Sequence, residues 1–291
     1  GGGGIFTSGI LSVSDSTISG NTAEYGGGIY GIYEGTITVN NSLISGNNAT
    51  DGGGIYTGIT LSVTNSTISS NTAEYGGGIY DGGGIYNGNS LNEGDGTITV
   101  TSSTISGNSA GTDGSGGGIY VGGTSIGGTT IGGTVTVNTS FISDNHGYLG
   151  GGIYNEGTIN LSKSTISGNT AIKGAGIYNP GFITPGDRSP DVLVSGTISV
   201  SKSSISNNYA SDYGGGIYNE PLGILTVSYS TISGNQAHFG AGIYNNATLT
   251  VGNSIIKHNK AFGIELSSGV YEPGNGGGIY NSSYGTATVD Y

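Results

Sequence analysis

The chain has 291 residues, 63 of them Gly, with no Cys, Met or Trp and only 8% charged residues, which is not an average globular composition. A formal net charge of −12 argues against nucleic acid as a partner, and the lack of Cys excludes disulfides and thiolate metal sites. Gly without a three-residue period excludes collagen, and no apolar run reaches the ~18 to 20 residues of a membrane span.

From the N-terminus onward two motifs alternate. Ile-x-x-Asn places its Asn at Asn21, Asn47, Asn71, Asn108, Asn145, Asn169, Asn208, Asn235 and Asn259. Gly-Gly/Ala-Gly-Ile-Tyr ends at Tyr30, Tyr56, Tyr80, Tyr86, Tyr120, Tyr154, Tyr178, Tyr218, Tyr244 and Tyr280, with Phe6 as a variant. Successive Asn lie 26, 24, 37, 37, 24, 39, 27 and 24 residues apart, so the minimum is the period and the excesses are insertions.

Before each Ile-x-x-Asn, apolar residues alternate with Thr or Ser, as in Thr36-Ile37-Thr38-Val39, Thr97-Ile98-Thr99-Val100 and Thr248-Leu249-Thr250-Val251. That period of two is a strand signal. Three short strands cannot pair well inside one repeat, but stacked copies pair every strand with its equivalent about 4.8 Å away. The pattern predicts an all-β fold, a right-handed parallel β-helix (solenoid) of about ten rungs of ~24 residues with three short strands each. It forms a single domain over residues 1–291, with insertions near 81–96, 111–133, 180–196 and 262–275 that bulge from the rod.

Asn at one fixed turn position suits a ladder of side-chain amides that satisfies otherwise orphaned turn groups. With the Ile of Gly-Ile-Tyr inward, the following Tyr points outward, giving a candidate column that either stacks on sugar rings or a neighbour, or covers the Gly-rich corner. Thr and Ser at alternate strand positions, such as Thr97, Thr99, Thr134, Thr136, Thr248 and Thr250, are ordinary exposed strand residues that also resemble the faces of ice-binding β-helices. Glu24, Asp51, Glu74, Asp113 and Asp212 fall in the turn before the Gly run. Stacked acids either splay into solvent, the preferred reading, or share calcium. His146, Lys173, His238 and Lys260 interrupt that column, and the histidines read as surface turn residues.

The alternation of Gly-Gly-Gly-Ile-Tyr with Ile-Ser-Gly-Asn resembles the right-handed β-helix repeats of pectin-lyase-like surface proteins. It is similar to the GGAI and FxxN repeats of polymorphic outer membrane proteins, over nearly all of the chain outside the insertions. The resemblance implies the fold strongly and the activity weakly, since adhesins, autotransporter passengers, surface-layer and fibre proteins share it with lyases and hydrolases. Likeness to pectate lyases implies an Arg base and clustered calcium-binding Asp, whereas the sole Arg, Arg188, lies in the Pro-rich insertion 180–196.

The expected function is a non-enzymatic structural or adhesive rod, extracellular or on the cell surface, with no catalytic residues and no cofactor beyond calcium as a weak candidate. Its expected partners are itself, neighbouring surface proteins or glycans. Residues 1–6 and 285–291 both fall inside repeats, so either more chain continues the coil or copies stack head-to-tail into a filament. The alternatives are a polysaccharide lyase or glycoside hydrolase-like enzyme, for which two facing carboxylates are required, and an ice-binding β-helix.

Overall fold

Residues that alternate apolar and hydroxyl along a strand turn one face inward and the other to solvent. In the computed structural model, which describes residues 2–33, 35–81, 96–126, 129–184, 192–265 and 271–290, that alternation closes the chain into a parallel β-helix. Among the described residues three parallel sheets run its length and no helix occurs. The first sheet stacks ten Gly-Ile-Tyr strands, from Ile5–Thr7 to Ile279–Asn281. The second stacks ten five-residue strands, from Ile10–Ser14 to Thr286–Asp290. The third stacks nine Ile-x-x-Asn strands, from Thr17–Ser19 to Ile255–Lys257.

Like pairs with like in the register. Ile29 stands over Ile55, Tyr30 over Tyr56, and Ile105 between Ile68 and Ile142. Each coil sends four aliphatic side chains inward, as Ile55, Leu61, Val63 and Ile68 do, all fully buried. Full burial stabilises by ~1.5–3 kcal/mol per side chain, so the interior stack is the main apolar term.

The corners are held by polar ladders. At the corner after the third sheet, the backbone N–H and Nδ2 of each Asn donate to Oδ1 of the Asn in the next coil, as from Asn108 to Asn145 at 3.0 Å each. The same Nδ2 also donates to an Ile carbonyl of the previous coil, Asn108 to Ile68 at 3.0 Å. The run extends from Asn21 to Asn259 through every member expected from the sequence. At the corner between the second and third sheets the sequence pattern had not marked a ladder, and Ser builds one. Ser66 N donates to Ser103 Oγ at 3.1 Å while Ser66 Oγ donates to the Thr64 carbonyl at 2.7 Å.

A third corner, before the Gly-Ile-Tyr strand, is made by Gly in the left-handed region, such as Gly116 at φ 69°. A Cβ on Gly26 would lie 2.2 Å from the Ile29 carbonyl oxygen, so only Gly closes this turn. Along part of the rod a short fourth sheet crosses this corner, joining Thr170–Lys173, Tyr209–Tyr213, Gln236–Ala237 and Lys260–Ala261. Its inward residues are Ala171, Ala210 and Ala237, buried but too small to register as an apolar strand in the sequence.

The insertions resolve into smaller pieces. The expected 111–133 segment is two features: a turn at Gly111–Gly114 in one corner and an antiparallel hairpin, Gly123–Ile126 with Thr129–Gly132, in the next. A second hairpin pairs Gly181–Thr184 with Val192–Ser195, and a third pairs Ile264–Glu265 with Tyr271–Glu272. Most of the 81–96 insertion, with Tyr86, lies outside the described residues, as does Arg188.

Asn145→Ala strips the amide that receives two donors from Asn108 and gives two to its neighbours, leaving buried groups unpaired in both directions. Each orphaned group costs about 1–3 kcal/mol, so the expected loss is several kcal/mol in denaturant unfolding. Asn21→Ala, at the half-buried first coil, is expected to lose markedly less; equal losses would show that the ladder is not what sets the difference.

Candidate functional site

Because Ile faces the interior, the Tyr that follows it lies on the opposite face of the first sheet. Tyr30, Tyr56, Tyr80, Tyr120, Tyr154, Tyr178, Tyr218, Tyr244 and Tyr280 form one stack, capped by Phe6, with ring centroids 4.7–5.5 Å apart. The middle of the column is nearly parallel: Tyr120 and Tyr154 are 4.7 Å apart with planes 9° from parallel. Tyr80 pairs directly with Tyr120. Both faces of each central ring are occupied by neighbouring tyrosines, which leaves edges and hydroxyls to meet anything else. A partial second row, Tyr25, Tyr75, Tyr213 and Phe239, packs against the column from the next corner. Tyr154, Tyr178 and Tyr218 are buried, at 8%, 5% and 7% exposure, so the middle of the column is covered rather than displayed.

The hydroxyls converge on two carboxylates that sequence reasoning missed. Tyr154 Oη donates to Glu156 Oε1 at 2.9 Å and Gly123 N–H donates to Oε2 at 3.0 Å, with the Tyr120 hydroxyl near the same carboxylate. Burial pushes the Glu156 acid up, and these hydrogen bonds only partly offset it. Two coils on, Tyr178 and Tyr218 lie near the Glu220 carboxylate, and burial first, then its charge, pushes both phenols up. Glu156 therefore ties the base of the first hairpin to the tyrosine stack. The hairpins at 123–132 and 181–195 leave the same corner from coils two apart, and strand Thr129–Gly132 lies against Val192–Ser195 over the short coil between them.

A second Asn ladder runs just behind this corner. Asn155, Asn179, Asn219, Asn245 and Asn281 pass Nδ2–H to Oδ1 at 2.7–2.9 Å. The signal was present as Ile-Tyr-Asn in the later repeats. In earlier coils the position is filled differently, by Gly31, Thr57, Asp81 and Val121, which hides the period.

The five acids do not form one column. Thr50, not Asp51, stands between Glu24 and Glu74, accepting and giving backbone hydrogen bonds at 2.8–2.9 Å. Asp51 is one residue later, bridged in register to Tyr25 and Tyr75. Burial first, and then the charges of Glu74 and Glu24, raise the Asp51 acid to about 6. Asp113 belongs to the Gly111–Gly114 turn, and Asp212 lies far along the rod near Lys173 and His238, whose charges oppose the upward push of burial. Among the described residues no three His, Asp or Glu are grouped to hold a metal ion.

The histidines also divide. His146 is exposed, its Nδ1 2.8 Å from Thr170 Oγ1, and His258 occupies an exposed left-handed turn at φ 56°. His238 is not a surface residue: it is 2% exposed, packed on Phe239 and Phe262, with Nε2 lacking a hydrogen-bond partner. Insertion 262–275 brings Phe262 over it, a contact that spacing alone could not reveal.

Two segments, residues 15–32 and 202–220, match the family model described as the Chlamydia polymorphic membrane protein repeat. Each runs from an Ile-x-x-Asn strand to the following Gly-Ile-Tyr strand. No curated protein and no solved structure matches the chain. The stacked parallel strands make the described chain a parallel β-helix, and the two matches make its repeats similar to those of that family.

Asp51 ionises less readily in the folded chain than in the unfolded one, so its charge weakens the fold above pH about 6 and its neutral form does not below 3.8. Asp51→Asn is therefore expected to raise the melting temperature at neutral pH, with the gain shrinking as pH falls through that window. A melting series against pH checks this; a gain that persists undiminished in acid would refute the electrostatic account.

Proposed function

We propose that the chain is a non-enzymatic rod of the cell surface that adheres through its loops while its coils supply length and stiffness. The observation that carries this reading is where the recurrent residues go. Asn, Ser and Tyr are used coil after coil to hold the next coil, so the features left to distinguish one partner from another are the hairpins. Loops set on a rigid scaffold are the usual carriers of recognition. Similarity of residues 15–32 and 202–220 to a membrane-protein repeat supports a surface location.

The contact region in this reading is the adjoining pair of hairpins at 123–132 and 181–195, and the partners are glycans or neighbouring surface proteins. A net charge of −12 favours neutral or cationic partners over polyanions. The reading requires neither a catalytic residue nor calcium.

End-to-end association of rods belongs to the same proposal. At the last described coil Val251, Ile255, Ile256, Ile279 and Val289 leave the core open. The Asn ladder has a fixed polarity, with donors toward the following coil and acceptors toward the preceding one. An edge of this kind accepts a further coil of the same polarity, such as that of a second copy.

Replacing both hairpins with a two-residue corner like that at Glu156-Gly157 is expected to leave the coil folded by circular dichroism and to abolish attachment of rod-coated beads to cells. Attachment that survives both excisions would overturn the assignment of the contact region. Cleavage of a glycan lost on Glu156→Gln or Glu220→Gln would overturn the non-enzymatic reading itself.

A further inference from the structure

We infer that the outer face of the second sheet is a lateral pairing surface for another copy of this chain. The face is unusual first in its charge. On a chain of net charge −12, its ten five-residue strands carry no charged residue except Asp290 at the last position. The carboxylates gather elsewhere, Glu24, Asp51 and Glu74 before the Gly run and Glu156 and Glu220 at the tyrosine corner. Two copies repel one another when most of their surfaces meet. Along this sheet they meet without like charges opposed.

Its chemistry is self-complementary. The leading outward column reads Thr36, Thr60, Thr97, Thr134, Thr158 and Thr197 through the body of the rod, and the next column carries Thr or Ser with one Asn, as at Thr99, Thr136, Asn160 and Ser199. A hydroxyl both donates and accepts, so such a column can pair with a rotated copy of itself, which a column of carboxylates or ammonium groups cannot do. Ile10 and Ile224, 89% and 46% exposed, replace Thr in this column and supply apolar anchors.

Periodicity and size point to the same occupant. Side chains on this face repeat at the rung spacing of about 4.8 Å, so a partner seated along its whole length has to carry the same repeat, as a second copy does. Ten rungs by five residues give a face of roughly 43 by 16 Å, or about 700 Å². Two such faces bury about 1,400 Å², within the range of a standard specific interface. The pairing is two-fold and side by side, and it is independent of both the hairpin contacts and the end-to-end association proposed above.

The test is sedimentation of the whole 291-residue chain over a wide concentration range, with Thr136→Lys and Thr99→Lys at the middle of the face and Val289→Lys at the open end. The expected result is a wild-type mass that doubles with concentration. Both threonine variants should remain at single-chain mass with unchanged melting temperature, because these side chains project from the sheet, and Val289→Lys should still pair. A wild type that stays single up to millimolar concentration overturns the inference. So does pairing that survives both lysines, or association lost only in Val289→Lys, which assigns it to the rod end instead. A single chain whose growth-shaping of ice is lost in the threonine variants also overturns pairing, and gives the face to an ordered solid.

Discussion

At each corner of the coil the strand ladders are interrupted, so backbone groups there must be satisfied by a neighbouring coil or by a side chain of the corner itself. That requirement fixes the residue at each corner more tightly than the apolar core fixes its own. Asn108 supplies backbone N–H and Nδ2 to Asn145, Ser66 supplies N–H to Ser103, and Gly116 provides a left-handed turn. The interior tolerates Ile, Leu or Val at equivalent positions, as Ile98, Leu61 and Val135 demonstrate in adjacent strands. Corner chemistry is therefore the source of register, and register brings identical residues into columns.

Columns then behave as units. A tyrosine repeated at one position becomes a stack in which each ring shields its neighbours, and its hydroxyls become available to a single carboxylate at the edge. Glu156 shows how one acid in one coil recruits Tyr154 and the first residue of a hairpin. An acid repeated in neighbouring coils has the opposite effect. Asp51, one residue out of register with Glu24 and Glu74, resists ionisation first because it is half buried and then because those two charges lie near it. The same translation that strengthens a ladder of neutral amides weakens a ladder of like charges, which explains why carboxylates are sparse on the regular strands and occur at corners.

The insertions enter at corners because a strand interior cannot accept extra residues without breaking the sheet. Two of the described hairpins share one corner and touch, giving the rod a local broadening beside Glu156, whereas the third follows Phe262, which packs over His238, at a different corner. A rod of this construction separates its tasks. Coil residues are committed to one another, flat sheet faces present hydroxyls, and the loops carry the irregular chemistry.

The period of about 24 residues, the inward Ile and the first Asn ladder were legible in the sequence because each depends only on contacts between equivalent positions. Translation by one repeat is visible in one dimension. The fold class and the nine Asn therefore followed from spacing alone. The second Asn ladder was half visible as Ile-Tyr-Asn, and was obscured where Thr57, Asp81 and Val121 take its place. What only the tertiary structure decided were relations between non-equivalent positions: Asp51 one step out of the acidic row, Tyr hydroxyls reaching Glu156, and Phe262 closing over His238. Those depend on how a corner turns and where an insertion folds back. No repeat in the sequence encodes either, because each happens only once.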